Sequence, residues 1–215
     1  MMGGSRERVL ARVRAALSDV PADEPVERHP HRSYADGHFE GDTLEVLVDR
    51  LLDYKALVER VPESELPGRI AAALERRGAA RVAVPPGLPS EWLAEASVER
   101  VGDVPDAPLS SMDLDATDGV VTGCAVAIAE TGTIVLDASP DQGRRALTLV
   151  PDYHLCVVRS DQVVDGVPEG VRRLDPARPL TWISGPSATS DIELNRVEGV
   201  HGPRTLEVLL VEADG

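Results

Sequence analysis

Short strand-like segments alternate with short helical segments along the second half of this 215-residue chain. Alternation of this kind is typical of α/β proteins, in which helices cover a layered and mostly parallel sheet. We therefore predict an α/β fold. The strand-like runs are rich in β-branched residues and lie at 120–122, 125–129, 133–137, 155–158, 181–184 and 206–211. The predicted helical segments between them lie at 162–164, 167–174 and 190–196.

The first half of the chain predicts two helices and two further strands. An amphipathic helix begins at Asp42 or Thr43, continues through Lys55 and Val58, and stops at Pro62. The other predicted elements are a helix at 67–78, a strand at 81–85, a short helix at 90–96 and a strand at 98–101.

The N-terminal residues differ in composition from the rest of the chain. Residues 5–17 have helical spacing, whereas residues 19–41 are rich in proline, histidine and acidic side chains and predict an extended linker or mobile arm. Histidines in this stretch have no nearby cysteine and no i,i+4 partner, so we predict no metal site. We predict an N-terminal helical appendage with its linker at 1–41 and one α/β domain at 42–215.

Charge and the absence of some motifs exclude several classes of function. The formal net charge is −15, and an acidic chain repels nucleic-acid phosphates and anionic lipid surfaces. No apolar run approaches the roughly 18 residues of a membrane span, and the arginine-rich start is unlike a secretory signal. We therefore expect a cytoplasmic protein without a nucleic-acid partner. No GxxxxGK[ST], GxGxxG, GxSxG or HExxH string occurs.

Two cysteines, Cys124 and Cys156, are present. They are too few for a disulfide framework or for the four thiolates of a usual iron–sulfur cluster. We predict that both are small buried residues, that this chain holds no cofactor, and that any cluster belongs to partner chains.

Two segments concentrate glycine and hydroxyl residues where ordinary core sequence would be apolar. One is AIAETGTIVL at 127–136; the other is ISGPSATSDIE at 183–193, followed by GVHGPR at 199–204. Such residues occur where the backbone approaches a ligand or a partner.

With VTGC at 121–124, these segments resemble the lactate-utilisation protein C family, the LUD domain, over residues 113–212. The resemblance implies a cytoplasmic component of an iron–sulfur-dependent system that converts L-lactate to pyruvate, with iron–sulfur subunits as partners. It also implies a core related to the fold of ribose-5-phosphate isomerase, glucosamine-6-phosphate deaminase and CoA-transferases. The role of this subunit is left open.

The segment 184–191 predicts a site for a small anion. A strand ends there and a helix begins at Asp191, so unpaired N–H groups and several hydroxyls would face a ligand at the strand end. The alternative is an ordinary helix start, capped by Thr189 or Ser190. The predicted ligand-binding residues are Ser184, Gly185, Ser187, Thr189 and Asp191.

The loop 199–204 adds a histidine and an arginine. His201 could shuttle a proton as a catalytic base, and Gly202 and Arg204 could bind a carboxylate or phosphate. The alternative is a structural loop in which Arg204 pairs with Glu193 or Asp191.

The turn at 130–133 predicts a hairpin in which Gly132 has positive φ. Glu130 loosely resembles the nucleophile of CoA-transferases, although a carboxylate that accepts N–H bonds from its own turn is the alternative. Thr131, Gly132 and Thr133 are predicted ligand-binding residues. Arg144 is a further candidate anion-binding residue, or a solvated arginine next to Arg145. We interpret His154 as a core histidine.

Two functions therefore remain open at the level of sequence. The first is a subunit that binds a small anionic ligand, or holds its redox partners together, in L-lactate oxidation, without being catalytic alone. The second is a stand-alone isomerase- or transferase-like enzyme that acts on a sugar phosphate or a CoA thioester.

Overall fold

The computed structural model describes residues 5–18, 39–189, 197–198 and 202–213. The chain divides into two units, Met1–Tyr34 and Ala35–Gly215. In the first unit the structure describes helix α1 (Ser5–Ala16), none of whose residues is buried. Most of the predicted linker, at 19–38, lies outside the described residues.

The second unit contains helices, short 3₁₀ turns and strands in alternation. The helices are α2 (Thr43–Asp53), α3 (Leu66–Arg77), α4 (Ser111–Asp115) and α5 (Val167–Arg173). The strands are β1 (Leu57–Pro62), β2 (Arg81–Val84), β3 (Glu99–Gly102), β4 (Gly119–Thr122), β5 (Val126–Ile128), β6 (Thr133–Leu136), β7 (Tyr153–Arg159), β8 (Val163–Val164), β9 (Thr181–Ile183), β10 (Ala188–Thr189), β11 (Val197–Glu198) and β12 (Thr205–Glu212).

A six-stranded, all-parallel sheet forms the centre of this unit, with strand order β1-β12-β7-β4-β2-β3. Both faces of its central strands are covered. On β12, Val208 and Leu210 pack into a core cluster with α2, whereas Leu209 and Val211 pack on the opposite side with α3. Parallel strands buried on both faces are continuous apolar runs, as observed. The predicted α/β fold with a layered, mostly parallel sheet is confirmed.

A second sheet has four strands in the order β8-β5-β6-β9. Strands β5 and β6 form the predicted antiparallel hairpin, and Gly132 has a φ of 58° in its turn. A Cβ atom there would lie 2.8 Å from the Cβ of Arg50 on α2. Glycine is therefore favoured both by the backbone conformation and by the close approach of α2.

The helix predicted from Asp42 to Pro62 is shorter than expected, and this prediction was wrong at its end. Asp42 caps α2 through the backbone N–H groups of Leu44 and Glu45, but the helix ends at Asp53. Lys55 then has a positive φ of 69°. The next residues form β1, because the edge of the parallel sheet offers β12 as a hydrogen-bonding partner. Strand pairing overrides the helical periodicity there.

A second correction concerns residues 162–164, which were predicted to be helical. Val163 and Val164 form β8 and pair in parallel with Ala127 and Ile128 of β5. The short helix predicted at 90–96 is a 3₁₀ turn, Ser90–Leu93. The helix predicted at 190–196 lies outside the described residues, and the strands on either side of it, β10 and β11, pair antiparallel.

Candidate functional site

A cavity of about 230 Å³ opens where β9, the start of β12 and the 3₁₀ turn Arg145–Thr148 meet. Its size suits a small molecule better than a nucleotide, because pockets for drug-sized ligands usually span about 300–1,000 Å³. Apart from the two glycines, half of the lining side chains are apolar, and the other half carry hydroxyl, imidazole or guanidinium groups. The lining residues are Arg145, Thr148, Leu149, His154, Thr181, Trp182, Ile183, Ser184, Gly185, Pro186, Ser187, Gly202, Pro203 and Leu206.

Two loops that are distant in sequence form one wall of this cavity. The backbone N–H of Ser187 donates to the carbonyl of Pro203 over 2.8 Å, which joins the loop after β9 to the loop before β12. Gly185 has a φ of 79°, and a Cβ atom there would lie 2.5 Å from the Cβ of Tyr54. The wall therefore depends on glycine at this position.

The charge of the lining favours an anion. Arg145 is exposed and lines the cavity, whereas the lining contains no aspartate or glutamate among the described residues. Nor does Arg145 make an ion pair with any residue that the structure describes. In a chain of net charge −15, an arginine without a carboxylate beside it is a natural partner for a ligand carboxylate or phosphate.

A buried histidine supplies the second ionisable group. His154 lies on β7, is 1% exposed and lines the cavity. Its Nε2 atom is 2.8 Å from Oγ1 of Thr122 on the neighbouring strand β4. The side chain of Thr122 is fully buried, so this hydrogen bond orients the ring from behind the cavity.

The two cysteines belong to the core cluster that packs against α2, and Cys156 follows His154 by two residues on β7. Both thiols are free and buried. The interaction with the neighbouring Cys124 thiol lowers the pKa of the Cys156 thiol, as do contacts with His154 and Thr122, whereas the interaction with Cys156 and burial raise the pKa of Cys124. The predicted burial of both residues is confirmed.

These residues do not fit an iron–sulfur cluster. Two thiolates are half the usual ligand set, and both are enclosed in apolar core. The Cys124 thiol donates to Oε1 of Gln162 over 3.4 Å. Nor do the described residues contain a group of three or more His, Cys, Asp or Glu side chains that could hold a metal ion.

Four of the residues predicted from sequence line the cavity together: Ser184, Gly185, Ser187 and Gly202. Behind them a chain of hydroxyls connects to the β5–β6 turn. Thr131 donates to Thr133 over 2.8 Å, and Thr133 Oγ1 lies 2.8 Å from Ser184 Oγ. Thr131 and Thr133 therefore support the cavity without lining it.

Other predicted residues lie apart from the cavity or outside the described structure. Glu130 and Gly132 do not line it, and the backbone N–H of Glu130 donates to the carbonyl of Asp165. The backbone of Thr189 belongs to β10. Asp191 and His201 lie outside the described residues.

The two predicted anion-binding arginines instead pair with carboxylates of the chain. Arg144 binds Asp103 through Nε and Nη2 at 2.8 and 2.9 Å. Arg204 binds Asp152 in the same bidentate manner at 2.6 and 2.9 Å. Neither residue lines the cavity. An ion pair of Arg204 is present, with Asp152 as a partner, whereas the foreseen partners Glu193 and Asp191 lie outside the described residues.

Arg145, Thr148 and His154 line the cavity but were not predicted as site residues. In the sequence, Arg145 is notable only as the neighbour of the candidate anion-binding residue Arg144. A weak signal for His154 was available, because it is a polar residue in the otherwise apolar run YHLCVV of a central strand. The burial of His154 agrees with its interpretation as a core histidine. That interpretation did not include a position in the cavity wall, where the structure places the residue.

The Arg204–Asp152 pair gives a prediction with a defined pH dependence. The hydrogen bond from Arg204 lowers the pKa of Asp152 below its ordinary value, so the pair stabilises the fold at neutral pH. This contribution is lost as pH falls through the lowered pKa. Because both side chains are about half exposed, Arg204→Ala should lower the free energy of unfolding by at most about 1 kcal/mol at pH 7.

Urea unfolding of wild type and Arg204→Ala at pH 7 and pH 3 measures this difference, which should shrink at pH 3. Asp152→Asn serves as the matched variant that removes the same pair from the other side. A tenfold loss of ligand affinity in Arg204→Ala, at unchanged stability, would contradict the structural role.

Comparison with known proteins agrees with this architecture. The LUD domain matches residues 111–211. Lactate utilization protein C of Deinococcus radiodurans is 56% identical over 91% of this chain and 86% of its own length. Lactate utilization protein C of Geobacillus kaustophilus is 27% identical over 96% of both chains. The crystal structure of a DUF162 family protein from Deinococcus radiodurans matches with a TM-score of 0.67 and 48% identity, over 79% of this chain and 96% of that one.

The fold and the cavity thus define an α/β protein of the LUD-domain class. The chain belongs to the lactate utilization protein C family. No helix among its described residues is both long enough and apolar enough to cross a membrane.

Proposed function

We propose that this chain serves in lactate utilisation by binding a small carboxylate, such as lactate or pyruvate, in the cavity lined by Arg145 and His154. The names of its relatives in Deinococcus radiodurans and Geobacillus kaustophilus support the process. The volume of about 230 Å³ and the lining chemistry support the ligand class.

One observation carries the proposal: Arg145 faces the cavity without a carboxylate partner among the described residues. The other arginines considered for this role, Arg144 and Arg204, are already bound to Asp103 and Asp152. A guanidinium forms bidentate hydrogen bonds with a carboxylate, and such charge-assisted bonds are stronger than neutral ones. Arg145 is therefore the residue that we expect to anchor the ligand.

We further propose that this chain works beside iron–sulfur partner subunits, which would carry the electrons of L-lactate oxidation. The support is chemical: its two cysteines do not fit a cluster. In this proposal the chain supplies a binding site or holds its partners together and is not catalytic alone. The alternative is a stand-alone isomerase- or transferase-like enzyme with Glu130 or His201 as its catalytic base. It has less support, because Glu130 does not line the cavity; His201 lies outside the described residues.

Isothermal titration of the purified full chain with L-lactate and with pyruvate tests the binding site. We expect Arg145→Gln to weaken the binding of both by at least about tenfold, since a lost charge-assisted hydrogen bond corresponds to about 1.5–3 kcal/mol. The fold should be unaffected because Arg145 is exposed.

Arg69→Gln is the matched control. It changes the net charge by the same amount on α3, away from the cavity, where Arg69 pairs with Glu59 and Glu65. Its affinity should equal that of wild type. Equal losses in both variants would show a general charge effect, and an unchanged affinity in Arg145→Gln would contradict the proposed anchor.

A further inference from the structure

A second cavity, of about 470 Å³, lies at the carboxyl ends of the parallel strands and shares no lining residue with the cavity of Arg145. Gly87 after β2, Gly123 after β4 and Arg159 at the end of β7 contribute to its walls. Strands β2 and β4 are parallel neighbours. After β2 the chain next joins this sheet at β3 on one side, whereas after β4 it next joins it at β7 on the other. Ligands of open parallel sheets bind in the crevice at such a topological switch point. We call this space the switch-point cavity.

The loop 137–143 brings a carboxylate into the switch-point cavity. The backbone N–H of Gly87 donates to the carbonyl of Pro140 over 2.8 Å, and that of Gly123 donates to the carbonyl of Asp141 over 3.1 Å. A Cβ atom at Gly123 would overlap Oδ2 of Asp141. The Asp141 carboxylate therefore lies directly beyond the end of β4, in space that is available only because residue 123 is glycine.

The charges of the lining favour a cation. The carboxylates of Glu63, Glu91 and Asp141 line the cavity together with the guanidinium of Arg159. Arg159 already lies 2.7 Å from Glu63 and 3.6 Å from Asp161, so its charge is compensated within the chain. Neither Asp141 nor Glu91 forms an ion pair with any residue that the structure describes. A positively charged ligand would supply the missing partner.

An aromatic side chain and a partly desolvated carboxylate face the same space. Trp92 is half-buried and lines the cavity beside Asp141. Burial raises the pKa of the Asp141 carboxyl above its ordinary value, because the charged form loses hydration, and the carboxylate of Asp137 adds to the effect. A cation beside Asp141 would offset this cost, and the face of an indole ring attracts a cation as well.

We propose that the switch-point cavity binds a small organic cation, with an ammonium group at Asp141 and the carbon chain against Trp92. Glu91, which is exposed, adds attraction at the mouth of the cavity. The observation that carries the inference is the position of Asp141: a carboxylate without a cationic partner among the described residues lies in a cavity at the switch point of the sheet. The site is separate from the proposed carboxylate site and takes a ligand of the opposite charge.

The test is isothermal titration of the full chain, at roughly 0.15 M salt to screen exposed charges, with cadaverine and with the diol of the same chain length. Wild type should bind the diamine at least about tenfold more tightly than the diol, since hydrogen bonds between charged groups are the stronger ones. Asp141→Asn, which keeps the shape of the side chain, should remove most of this preference. Trp92→Leu should weaken binding of the diamine by about threefold through the loss of the indole face.

Asp115→Asn is the matched control, because it removes the same charge from an exposed residue of α4 that does not line the cavity. Its affinity for cadaverine should equal that of wild type. Equal losses in Asp141→Asn and Asp115→Asn would show only the general attraction of an acidic chain and would overturn the site. Equal wild-type affinity for the diamine and the diol, or no binding of cadaverine, would overturn it as well.

Discussion

Replacing Arg144 by alanine is expected to lower the free energy of unfolding by about 2–3 kcal/mol, because it leaves the buried carboxylate of Asp103 without its charged partner, an arginine whose side chain is 41% exposed. Asp103 is 5% exposed and receives two hydrogen bonds from Arg144. Without the guanidinium, its carboxylate remains enclosed with the backbone N–H of Leu109 as the hydrogen-bond donor. In a chain of this length the melting temperature should fall by about 4–12 °C.

Thermal and urea unfolding measure this effect, and two variants control it. Arg69→Ala removes a pair whose side chains are exposed and should reduce stability by less than about 1 kcal/mol. The double variant Arg144→Met with Asp103→Leu should be more stable than Arg144→Ala, because no buried charge is left behind. Equal stability of Arg144→Ala and Arg69→Ala would show that the Arg144–Asp103 pair does not stabilise the fold.

Replacing Gly119 by alanine is expected to be similarly destabilising, by about 3 kcal/mol, at the upper end of ordinary overpacking effects. Gly119 begins β4, next to Tyr153 on β7. A Cβ atom would lie 2.7 Å from the Tyr153 ring and 2.9 Å from its backbone oxygen. The backbone contact is relieved only if the two strands move apart. Since His154 follows Tyr153, carboxylate binding should weaken as well.

Gly102→Ala is the matched control, because Gly102 also lies in a strand of the same sheet and a Cβ atom there meets nothing within 4 Å. Alanine should raise stability slightly, by up to about 1 kcal/mol, through the reduced freedom of the unfolded chain. Urea unfolding of both variants measures the contrast. Equal stability of Gly119→Ala and Gly102→Ala would show that the close approach of β4 and β7 is unimportant.

Most of the fold follows from local patterns in the sequence. The runs in β7 and β12 are mostly apolar, with His154 and Glu207 as buried polar exceptions, because both faces of the parallel sheet are covered. The β5–β6 hairpin was predictable because Gly132 alone supplies the positive φ that its turn requires. The C-terminal end of α2 was not predictable from the sequence, because β1 forms only by hydrogen bonding to β12, which is distant in sequence. Non-local pairing of this kind leaves little trace in periodicity.

The residues of the candidate site also fall into those that the sequence predicts and those that it does not. Ser184, Gly185, Ser187 and Gly202 were predictable because loops rich in glycine and hydroxyl groups have few structural uses. Arg145 carries no such signal, and His154 carries only a weak one, as a polar residue in an otherwise apolar strand. The difference between Arg144 and Arg145 depends on which of them reaches Asp103, and the orientation of the His154 ring depends on Thr122, a residue on another strand. Both are properties of packing that adjacent residue types do not encode.

A crystal structure of the full chain grown with saturating L-lactate tests the central claim most directly. We expect lactate in the cavity, with its carboxylate about 3 Å from the guanidinium of Arg145. A cavity that holds only water, or lactate bound at another place on the chain, would contradict it.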